Sequence, residues 1–256
     1  MNHQTDTPTA HVPHAPLTDY YADERARSHF VREMFNSTAE DYDRMEHILG
    51  LGTGSWYRGQ ALQRAGLKIG MHMVDVGVGT GLVAREAVRI TGAANLVTGI
   101  DPSPGMMAYA KLPPGVTLAE GTAEAIPFPD AHFDFLSMGY ALRHIGDLSL
   151  AFSEFYRVMK PGSNLCILEI TCPERPINRL ILKLYMKGLV PLLAAVVGRK
   201  KNTRRLWRYY WDTIEACVPP NQVIATLEAA GFIQVHRHIE VKGLSVLAEY
   251  QATRPA

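Results

Sequence analysis

Short apolar runs alternate with amphipathic segments along most of the chain, and this alternation predicts strands separated by helices. The apolar runs predict strands at residues 74–76, 96–101, 116–119, 133–138 and 165–170. Between them, apolar residues spaced three and four apart predict helices from residue 82 onward, over 106–111 and over 150–159. Near the end, residues 232–239 and 244–252 predict an antiparallel strand pair. Strands that alternate with helices in this way predict an α/β fold around a mostly parallel sheet.

The segments on either side of this region have a different pattern. Residues 22–45 and 56–65 are predicted to be helical, and residues 221–230 are predicted to form the last helix. The stretch 176–208 begins with an apolar part, which Gly188 and Pro191 interrupt, and ends with the basic residues of 199–208. It is therefore too broken to span a bilayer, which requires roughly 20 apolar residues. We divide the chain into five parts: a tail (1–20), an N-terminal helical segment (21–70), the α/β core (71–175), a helical insertion (176–215) and the end of the core with the closing strand pair (216–256).

Composition and charge narrow the class of protein. A chain of 256 residues fits one α/β domain with extensions. Residues 1–20 are rich in Thr, Pro and His and have no apolar core, so a disordered tail with solvated histidines is predicted. Lys and Arg (26) nearly balance Asp and Glu (25), so no overall field attracts nucleic acid. Three cysteines without C-x-x-C spacing suit a reduced cytoplasmic protein and predict no metal site.

The segment MVDVGVGTGLV carries the first chemical signal. Gly77, Gly79 and Gly81 form a loop between a strand and a helix, where a backbone without Cβ atoms can approach a ligand closely. Asp101 ends the next strand about twenty residues later and is placed to bind a ribose hydroxyl pair. The spacing G-x-G-x-G differs from the G-x-G-x-x-G of dinucleotide-binding enzymes, which argues against NAD. With Asp75 two residues before the loop, the segment resembles motif I of class I methyltransferases, which use S-adenosylmethionine (SAM).

This resemblance implies a Rossmann-like, seven-stranded sheet with helices on both faces and an antiparallel last strand. It also implies that residues 71–175 are a core that binds SAM as the cofactor. The loop EGTAEAIPFPD after the third strand resembles the family's adenine-binding loop, with Thr122 in place of the usual Asp or Asn. The residues implied to bind SAM are Asp75, Gly77, Gly79, Thr80, Gly81, Asp101, Pro102, Met106, Thr122, Ala123 and Gly139.

Two further segments extend the resemblance. In the first, Phe35, Ala39, Tyr42 and Asp43 have the spacing Phe-x-x-x-Ala-x-x-Tyr-Asp. In the second, YALRHIGD, a Leu-Arg pair is followed by an acid, with His144 where Asn is usual. Both are similar to segments of the UbiE-like family, the C-methyltransferases of ubiquinone and menaquinone synthesis. The resemblance implies that the helices before the core form a lid over the SAM pocket with Tyr42 near the substrate; alternatively, Tyr42 only fills space between helix and sheet.

The acceptor chemistry is expected to involve four residues. A quinol ring becomes nucleophilic at carbon when its hydroxyl loses a proton. Arg143 is always cationic, so it can stabilise an aryloxide but cannot readily act as a base. His144 titrates near neutrality, and we expect it or Asp147 to take the proton. In the alternative, Arg143 pairs with Asp147 to hold the loop and His144 is solvated. The predicted catalytic residues are Tyr42, Arg143, His144 and Asp147.

Two interpretations fit residues 176–215. In the first, the apolar part is a mobile cover over a hydrophobic substrate pocket, and the basic residues of 199–208 form an edge of the cover that touches anionic lipid head groups. In the second, the segment is a helical pair packed on the domain. The implied acceptor is a small, hydrophobic aromatic molecule. The implied location is cytoplasmic, with peripheral contact to the inner membrane face. A homodimer is left open.

Other functions are also open at this point. The same scaffold can serve an N- or O-methyltransferase of another small molecule, secondary metabolite or lipid, or a non-enzymatic subunit that binds SAM or carries lipid. Arsenic methylation is disfavoured because it depends on several positioned cysteines. A DNA or RNA methyltransferase is disfavoured by the near-zero net charge and by the lack of an N-P-P-Y or D-P-P-Y motif after the fourth strand.

Overall fold

The structure is a computed structural model that describes residues 12–14, 17–49, 52–190, 192, 203–240 and 246–256. A seven-stranded sheet in the order β3-β2-β1-β4-β5-β7-β6 forms its centre. Neighbouring strands from β3 to β5 run parallel, and β7 runs antiparallel to both β5 and β6. The predicted α/β fold with an antiparallel last strand is therefore confirmed. The strands are β1 (Met73–Val76), β2 (Val97–Asp101), β3 (Thr117–Glu120), β4 (Phe133–Gly139), β5 (Met159–Ile170), β6 (Ile233–Ile239) and β7 (Leu247–Thr253).

Helices cover both faces of the sheet, because consecutive strand residues point to opposite sides. Met73 packs with the helices Gly54–Arg64 and Leu82–Thr91, whereas its neighbour Val74 packs with the helices Leu148–Val158 and Pro220–Ala229. A π-helical turn, Tyr185–Leu189, continues the helix that ends at Leu184. Within the described residues, no helix has both the length and the apolar character needed to cross a membrane. The helices are α1 (Glu24–Leu49), α2 (Gly54–Arg64), α3 (Leu82–Thr91), α4 (Pro104–Ala108), α5 (Leu148–Val158), α6 (Pro176–Leu184), α7 (Thr203–Ala216) and α8 (Pro220–Ala229).

A third apolar cluster lies outside the two layers that cover the sheet. It contains Met34 of α1, Leu182 of α6, Met186 of the π-helical turn, and Trp207 and Trp211 of α7. These helices come from the segments that precede and interrupt the core in sequence. The cluster joins α1 to α7, and α1 also contacts α4 at the end of β2.

The predicted disorder of residues 1–20 is wrong for the parts of the tail that the structure describes. The Val218 amide donates a hydrogen bond to the Pro13 carbonyl over 2.7 Å, and His14 forms a β-bridge with Cys217. The Tyr20 hydroxyl donates to Asp212 of α7 over 2.6 Å. Composition did not indicate these contacts because their partners lie about 200 residues away. Residues 1–11 and 15–16 lie outside the described residues.

β5 begins earlier than the sequence predicts. Met159 already pairs with Phe133, directly after α5 ends, and a register shift follows before Asn164 pairs with Phe135. The irregularity accommodates Gly162, which has a φ of 78°. The segment KPG is therefore part of an irregular strand and does not separate helix from strand. The predicted start of the last strand at residue 244 lies outside the described residues.

Candidate active site

The loop between β1 and α3 carries the three glycines of the predicted cofactor motif. Gly77, Gly79 and Gly81 have φ values of 73°, 53° and 84°, a backbone region that other residues disfavour. A Cβ atom on Gly77 would lie 2.8 Å from the Cβ of Ala141. The Gly77 amide donates to the Ile100 carbonyl over 2.8 Å, which ties the loop to β2. The loop thus requires glycine, and its backbone can approach a ligand closely.

Asp101 ends β2 beside this loop. Its carboxylate accepts hydrogen bonds from the amides of Gly79 and Ser103, each over 2.8 Å. Burial raises the pKa of the carboxyl to about 6, and the two amides oppose that rise. Met106 is buried nearby, with its methyl group 3.3 Å from where a Cβ on Gly79 would lie, whereas Pro102 is exposed. A carboxylate fixed by two amides is well placed to accept hydrogen bonds from a ribose.

Asp75 lies behind the glycine loop. It is buried within β1 and accepts a hydrogen bond from the Ser137 hydroxyl of β4 over 2.7 Å. The Ala84 amide in the first turn of α3 also donates to it. Burial raises the pKa of Asp75 to about 7. The carboxyl group therefore links β1 to β4 and to the first turn of α3.

The loop after β3, predicted to bind adenine, is held in place by α5. The Arg157 guanidinium donates to the Ile126 carbonyl over 2.9 Å. Thr122 forms a β-bridge with Ala125 and is exposed, whereas Ala123 between them is buried. The loop is thus a tight turn whose exposed hydroxyl lies near the end of the sheet.

The loop after β4 begins with a close approach to α3. A Cβ on Gly139 would lie 2.5 Å from the Cγ2 atom of Val83, and Tyr140 then has a φ of 60°. Farther along, the Gly146 amide donates to the carboxylate of Glu124 over 2.6 Å, which joins this loop to the loop after β3. The ends of the parallel strands therefore form one connected edge, the place where open α/β sheets bind ligands.

Arg143 is the cation at this edge, and it is fully buried. Its Nη1 atom donates to the carboxylate of Glu169 at the end of β5, and its Nε atom donates to the Thr213 hydroxyl over 3.2 Å. The guanidinium carbon lies 4.8 Å from the ring centre of Tyr210. Its Nη2 atom finds no hydrogen-bond partner among the residues that the structure describes.

The alternative in which Arg143 pairs with Asp147 is wrong. Asp147 caps α5, where its carboxylate accepts hydrogen bonds from the Ser149 and Leu150 amides over 2.9 and 3.2 Å. An N-cap carboxylate satisfies helix amides that would otherwise be unpaired. The acidic partner of Arg143 is Glu169, and a catalytic role for Asp147 stays a prediction.

His144 packs among aromatic rings, so the alternative of a solvated His144 is also wrong. Its ring centre lies 5.2 Å from that of Phe35 and 5.5 Å from that of Tyr209. Its Nε2 atom is buried and has no partner within the described part of the chain. Burial, followed by the charges of Arg143 and Arg27, holds the pKa of His144 well below its usual range. His144 is therefore neutral at physiological pH and a weak base.

α1 crosses the carboxyl ends of β1 to β4, which are four of the five parallel strands. Its polar side chains reach the end of each strand or the loop that follows it. The contacts are Asp43 with Thr80 after β1, Asn36 with Ser103 and Gly105 after β2, Arg32 with Glu120 at the end of β3, and Arg27 with Arg143 and Ile145 after β4.

Tyr42 connects α1 to the surroundings of Arg143. Its hydroxyl lies 2.8 Å from that of Tyr210, whose ring faces the Arg143 guanidinium. Burial raises the pKa of both hydroxyls, so both are neutral. The structure thus brings Tyr42 and Arg143 into one cluster. A direct contact between Tyr42 and an acceptor stays a prediction.

The edge combines features that fit SAM. The glycine backbone leaves room for close approach, Asp101 presents a carboxylate for a ribose, and Met106 and Ala123 provide apolar contacts. Beyond them lies a buried cation among aromatic rings. Within the described residues, no group of His, Cys, Asp and Glu side chains is arranged to hold a metal ion.

Residues 22–252 match the model of the ubiE/COQ5 methyltransferase family. The match spans the core, α1 and α2, and the segment after β5. The chain belongs to this family. The family resemblance of the two sequence segments is therefore confirmed, and this UbiE/COQ5-family protein is a SAM-dependent methyltransferase.

Named relatives agree with the family match. A demethylmenaquinone methyltransferase of Chlorobaculum parvum is 32% identical over 207 residues, which cover 79% of this chain and 84% of the relative. A ubiquinone/menaquinone biosynthesis C-methyltransferase UbiE of Shewanella halifaxensis is 28% identical over 217 residues, which cover 82% and 85%.

Solved structures agree with the fold. A SAM-dependent methyltransferase of Aquifex aeolicus superposes with a TM-score of 0.60 at 22% identity, covering 85% of this chain and 97% of the other. Phosphoethanolamine N-methyltransferase 2 of Haemonchus contortus, solved with SAM, superposes with a TM-score of 0.56 at 19% identity, covering 78% and 53%. At these identities the likeness shows a shared fold.

Two contacts of the site were missed by sequence reasoning. Glu169 is the one acid in the apolar run NLCILEI, and an acid within such a run is a usable signal of a buried ion pair. Asn36 follows Phe35 of the recognised motif, but nothing in the sequence indicates that it bonds to the loop after β2. Its partners become neighbours only in the folded protein.

Proposed function

We propose that this methyltransferase modifies a ring carbon of a quinol that carries a hydrophobic chain. The observation that carries the proposal is Arg143, a buried cation that faces Tyr210 and has an unpartnered Nη2 atom. A cation in this setting can stabilise the aryloxide that makes a ring carbon nucleophilic. The names of the Chlorobaculum and Shewanella relatives support the choice of a quinone-pathway acceptor.

The chain's own residues supply position and charge. SAM, when bound, supplies a methyl group on a positively charged sulfur. Gly77, Gly79 and Asp101 would hold the cofactor at the ends of β1 and β2. Arg143 would hold the acceptor oxygen, and the aromatic rings around it would exclude water. Alignment of the two reactants can supply much of the rate enhancement of a methyl transfer.

The helices outside the core have proposed roles as well. Residues 21–70, which contain α1 and α2, would act as a lid, since α1 contacts the ends of β1 to β4 or the loops that follow them. Residues 176–215 would act as a cover for a hydrophobic acceptor. The inner side of α6 and its π-helical turn, with Leu182, Met186 and Val190, is buried against the third apolar cluster, which also contains Tyr210.

The outer side of the cover supports peripheral contact with a membrane. Six large apolar side chains on α6 and just beyond it are 44–64% exposed. In sequence, residues 175–211 contain ten Lys and Arg and no Asp or Glu, although the whole chain has a net charge of +1. An apolar side flanked by basic residues is typical of helices that lie on anionic lipid surfaces. The exposed side chains are Ile177, Leu180, Ile181, Leu184, Leu189 and Leu192.

The proposed acceptor is tested with a demethylated naphthoquinol that carries a short prenyl chain, assayed in its reduced and oxidised forms. We expect methyl transfer to the reduced form only, because only that form has a ring hydroxyl to ionise. Arg143→Gln should lower kcat by about 100-fold or more, since it removes the charge that stabilises the aryloxide. Arg64→Gln removes a different Arg–Glu pair, in which the Arg64 side chain is 34% exposed and Glu249 is buried, and it should retain activity. Equal turnover of both acceptor forms would contradict the proposal.

Membrane contact is tested by sedimentation with phosphatidylcholine vesicles, with and without phosphatidylglycerol. We expect binding that depends on the anionic lipid. The double variant Ile181→Glu/Leu184→Glu should bind at least about tenfold more weakly, because burying each apolar side chain contributes on the order of 1.5 kcal/mol. Ile69→Glu changes an apolar residue that is 81% exposed elsewhere and should bind like the wild type. A homodimer that the double variant dissociates would assign this side to a second copy and contradict membrane contact.

A further inference from the structure

Glu169 is a buried carboxylate with one unused oxygen. It lies at the end of β5 and is 3% exposed. Its Oε1 atom accepts hydrogen bonds from Arg143 and, over 2.7 Å, from the Ile170 amide. Its Oε2 atom is buried and has no hydrogen-bond partner in the described part of the chain. A buried carboxylate oxygen without a partner is costly unless something binds there.

The unused oxygen of Glu169 and the unused nitrogen of Arg143 belong to one ion pair. Arg143 Nη2 can only donate a hydrogen bond, and Glu169 Oε2 in its ionised form can only accept one. A ring hydroxyl is the complementary group, because it offers one O–H donor and oxygen lone pairs. The pair therefore holds one unused donor and one unused acceptor, which match the two hydrogen-bonding functions of an aromatic hydroxyl.

We propose that Glu169 is the general base that takes the proton of the acceptor hydroxyl while Arg143 holds the oxygen. In this step the acceptor O–H bond breaks, its electron pair stays on the oxygen, and the proton forms a new O–H bond on Glu169. This inference rests on the proposed quinol acceptor. It places the base on β5, whereas the sequence pointed to His144 or Asp147.

Charge conservation favours this transfer. Before it, the buried Arg143 cation faces the Glu169 anion; afterwards, it faces the aryloxide and Glu169 is neutral. The total charge of the cluster does not change, so no new charge is buried. Burial also raises the pKa of Glu169, while Arg143 opposes the rise. The basicity of the carboxylate thereby moves toward that of an aromatic hydroxyl.

The proton returns after the new carbon bond has formed. The methylated ring carbon then carries both its original hydrogen and the methyl group, and the ring is a neutral dienone. Loss of that hydrogen as a proton to solvent regenerates an aryloxide. The aryloxide takes its proton back from Glu169. The overall release is one proton from the ring carbon, and Glu169 ends the cycle ionised.

The other titratable groups whose charges act on Glu169 do not compete for this proton. Arg143 is permanently cationic. Burial raises the pKa of Tyr250 and of Cys217 to about 12, and it raises the pKa of Tyr140 and Tyr210 as well. All four stay neutral near pH 7, so Glu169 is the carboxylate in this cluster that can exchange a proton.

A binding experiment tests the proposal without methyl transfer. We would bind 4-nitrophenolate, a coloured and acidic phenol, at a pH where it is ionised in solution. The wild-type protein should keep the phenolate colour on binding and take up about one proton, measured by calorimetry in buffers of different ionisation enthalpy. Glu169→Gln should also bind the phenolate but should take up no proton. A colourless bound phenol in the wild type, or proton uptake that persists in the variant, would overturn the proposal.

A kinetic comparison uses two acceptors of different acidity. Glu169→Gln should lower kcat about 100-fold at neutral pH for a quinol with ordinary hydroxyls. It should retain most of the wild-type rate with a quinol acidified by electron-withdrawing groups, which is already ionised. The matched control is Glu249→Gln, which replaces another buried acid, a residue of β7 that pairs with the partly exposed Arg64 of α2. It should lower stability without any dependence on acceptor acidity.

If Glu169→Gln lowers kcat equally for both acceptors, Glu169 has only a structural role. If Glu169→Gln does not fold, the colour and proton uptake of the wild-type complex still test whether a base next to the phenolate takes up a proton. Failure of the proposed function has a different signature, because the wild type would then methylate no quinol carbon.

Discussion

The buried acids of the first two strands, Asp75 and Asp101, have different hydrogen-bond partners. The Asp101 carboxylate accepts hydrogen bonds from two loop amides at the end of β2, where a ribose would bind. Asp75 is surrounded by β4 and α3, and its carboxyl group is costly to ionise. Sequence spacing identified both positions as part of one motif. It could not predict that Ser137 of β4 and Ala84 of α3 hydrogen-bond to Asp75, because these partners become neighbours only in the folded protein.

Asp75 should make the protein less stable as pH rises. Its pKa in the folded protein, about 7, lies above the ordinary value of about 3.9. The folded state thus binds a proton more tightly than the unfolded state, and this stabilisation is complete at low pH and lost as pH rises through 7. Asp75→Asn removes this pH dependence. Between pH 4 and pH 8, the free energy of unfolding of the wild type should therefore fall by roughly 3 kcal/mol relative to that of the variant.

Urea unfolding at several pH values measures this difference. Asp130→Asn is the control, because the Asp130 side chain is 78% exposed. A difference between Asp75→Asn and the wild type that stays constant with pH would contradict the buried, proton-binding state of Asp75.

At the scale of elements, α1 shows what the sequence pattern could and could not predict. Its apolar residues identified a helix over 22–45, close to the observed Glu24–Leu49. Its polar residues then determine where it lies, because Asn36 and Asp43 bond to loops that follow two different strands. Periodicity identifies a helix from residues three and four apart. Pairings across dozens of residues leave no such periodic signal.

Asn36 should couple α1 to cofactor binding. Its side-chain oxygen accepts hydrogen bonds from the Ser103 hydroxyl over 2.7 Å and from the Gly105 amide over 2.9 Å, directly after Asp101. Asn36→Ala removes both and should weaken SAM binding about tenfold, since a hydrogen bond contributes on the order of 1 kcal/mol. Glu33→Ala changes an exposed residue of the same helix and should bind SAM like the wild type.

Calorimetry gives the SAM affinities, and hydrogen exchange reports whether α1 is protected when SAM is added. If Asn36→Ala binds SAM normally and its α1 is protected as in the wild type, α1 does not act as a lid through this contact. A loss of binding without any change in exchange would also count against the coupling.

At the scale of the whole molecule, the sheet was largely predictable. Alternating apolar runs gave seven strands, and the two runs after residue 230 gave the antiparallel pair that closes the sheet. The glycine loop and Asp101 were predictable because the strand, glycine turn, helix and second strand follow one another at a recognisable spacing. The pairing of Arg143 with Glu169, 26 residues apart, was not, because no motif links the two positions. The partly ordered tail was missed for the same reason.

The basic residues of the chain are concentrated in one segment, although the net charge is close to zero. A net charge of +1 suggests a neutral protein, yet ten of the 26 basic residues fall within residues 175–211, where there are no acids. The remainder of the chain is therefore acidic overall. This basic segment includes α6, whose exposed apolar side chains are the basis of the proposed membrane contact.

The position of the transferred methyl group tests the central proposal most directly. Wild-type protein would be incubated with SAM labelled with ¹³C in its methyl group and a reduced, short-chain demethylated naphthoquinol, and the product would be examined by NMR. We expect one new methyl signal, from a ¹³C methyl group attached to a ring carbon. A labelled methyl group on oxygen or nitrogen would contradict ring-carbon methylation by this protein. So would a quinol that stays unlabelled while the same protein methylates another acceptor.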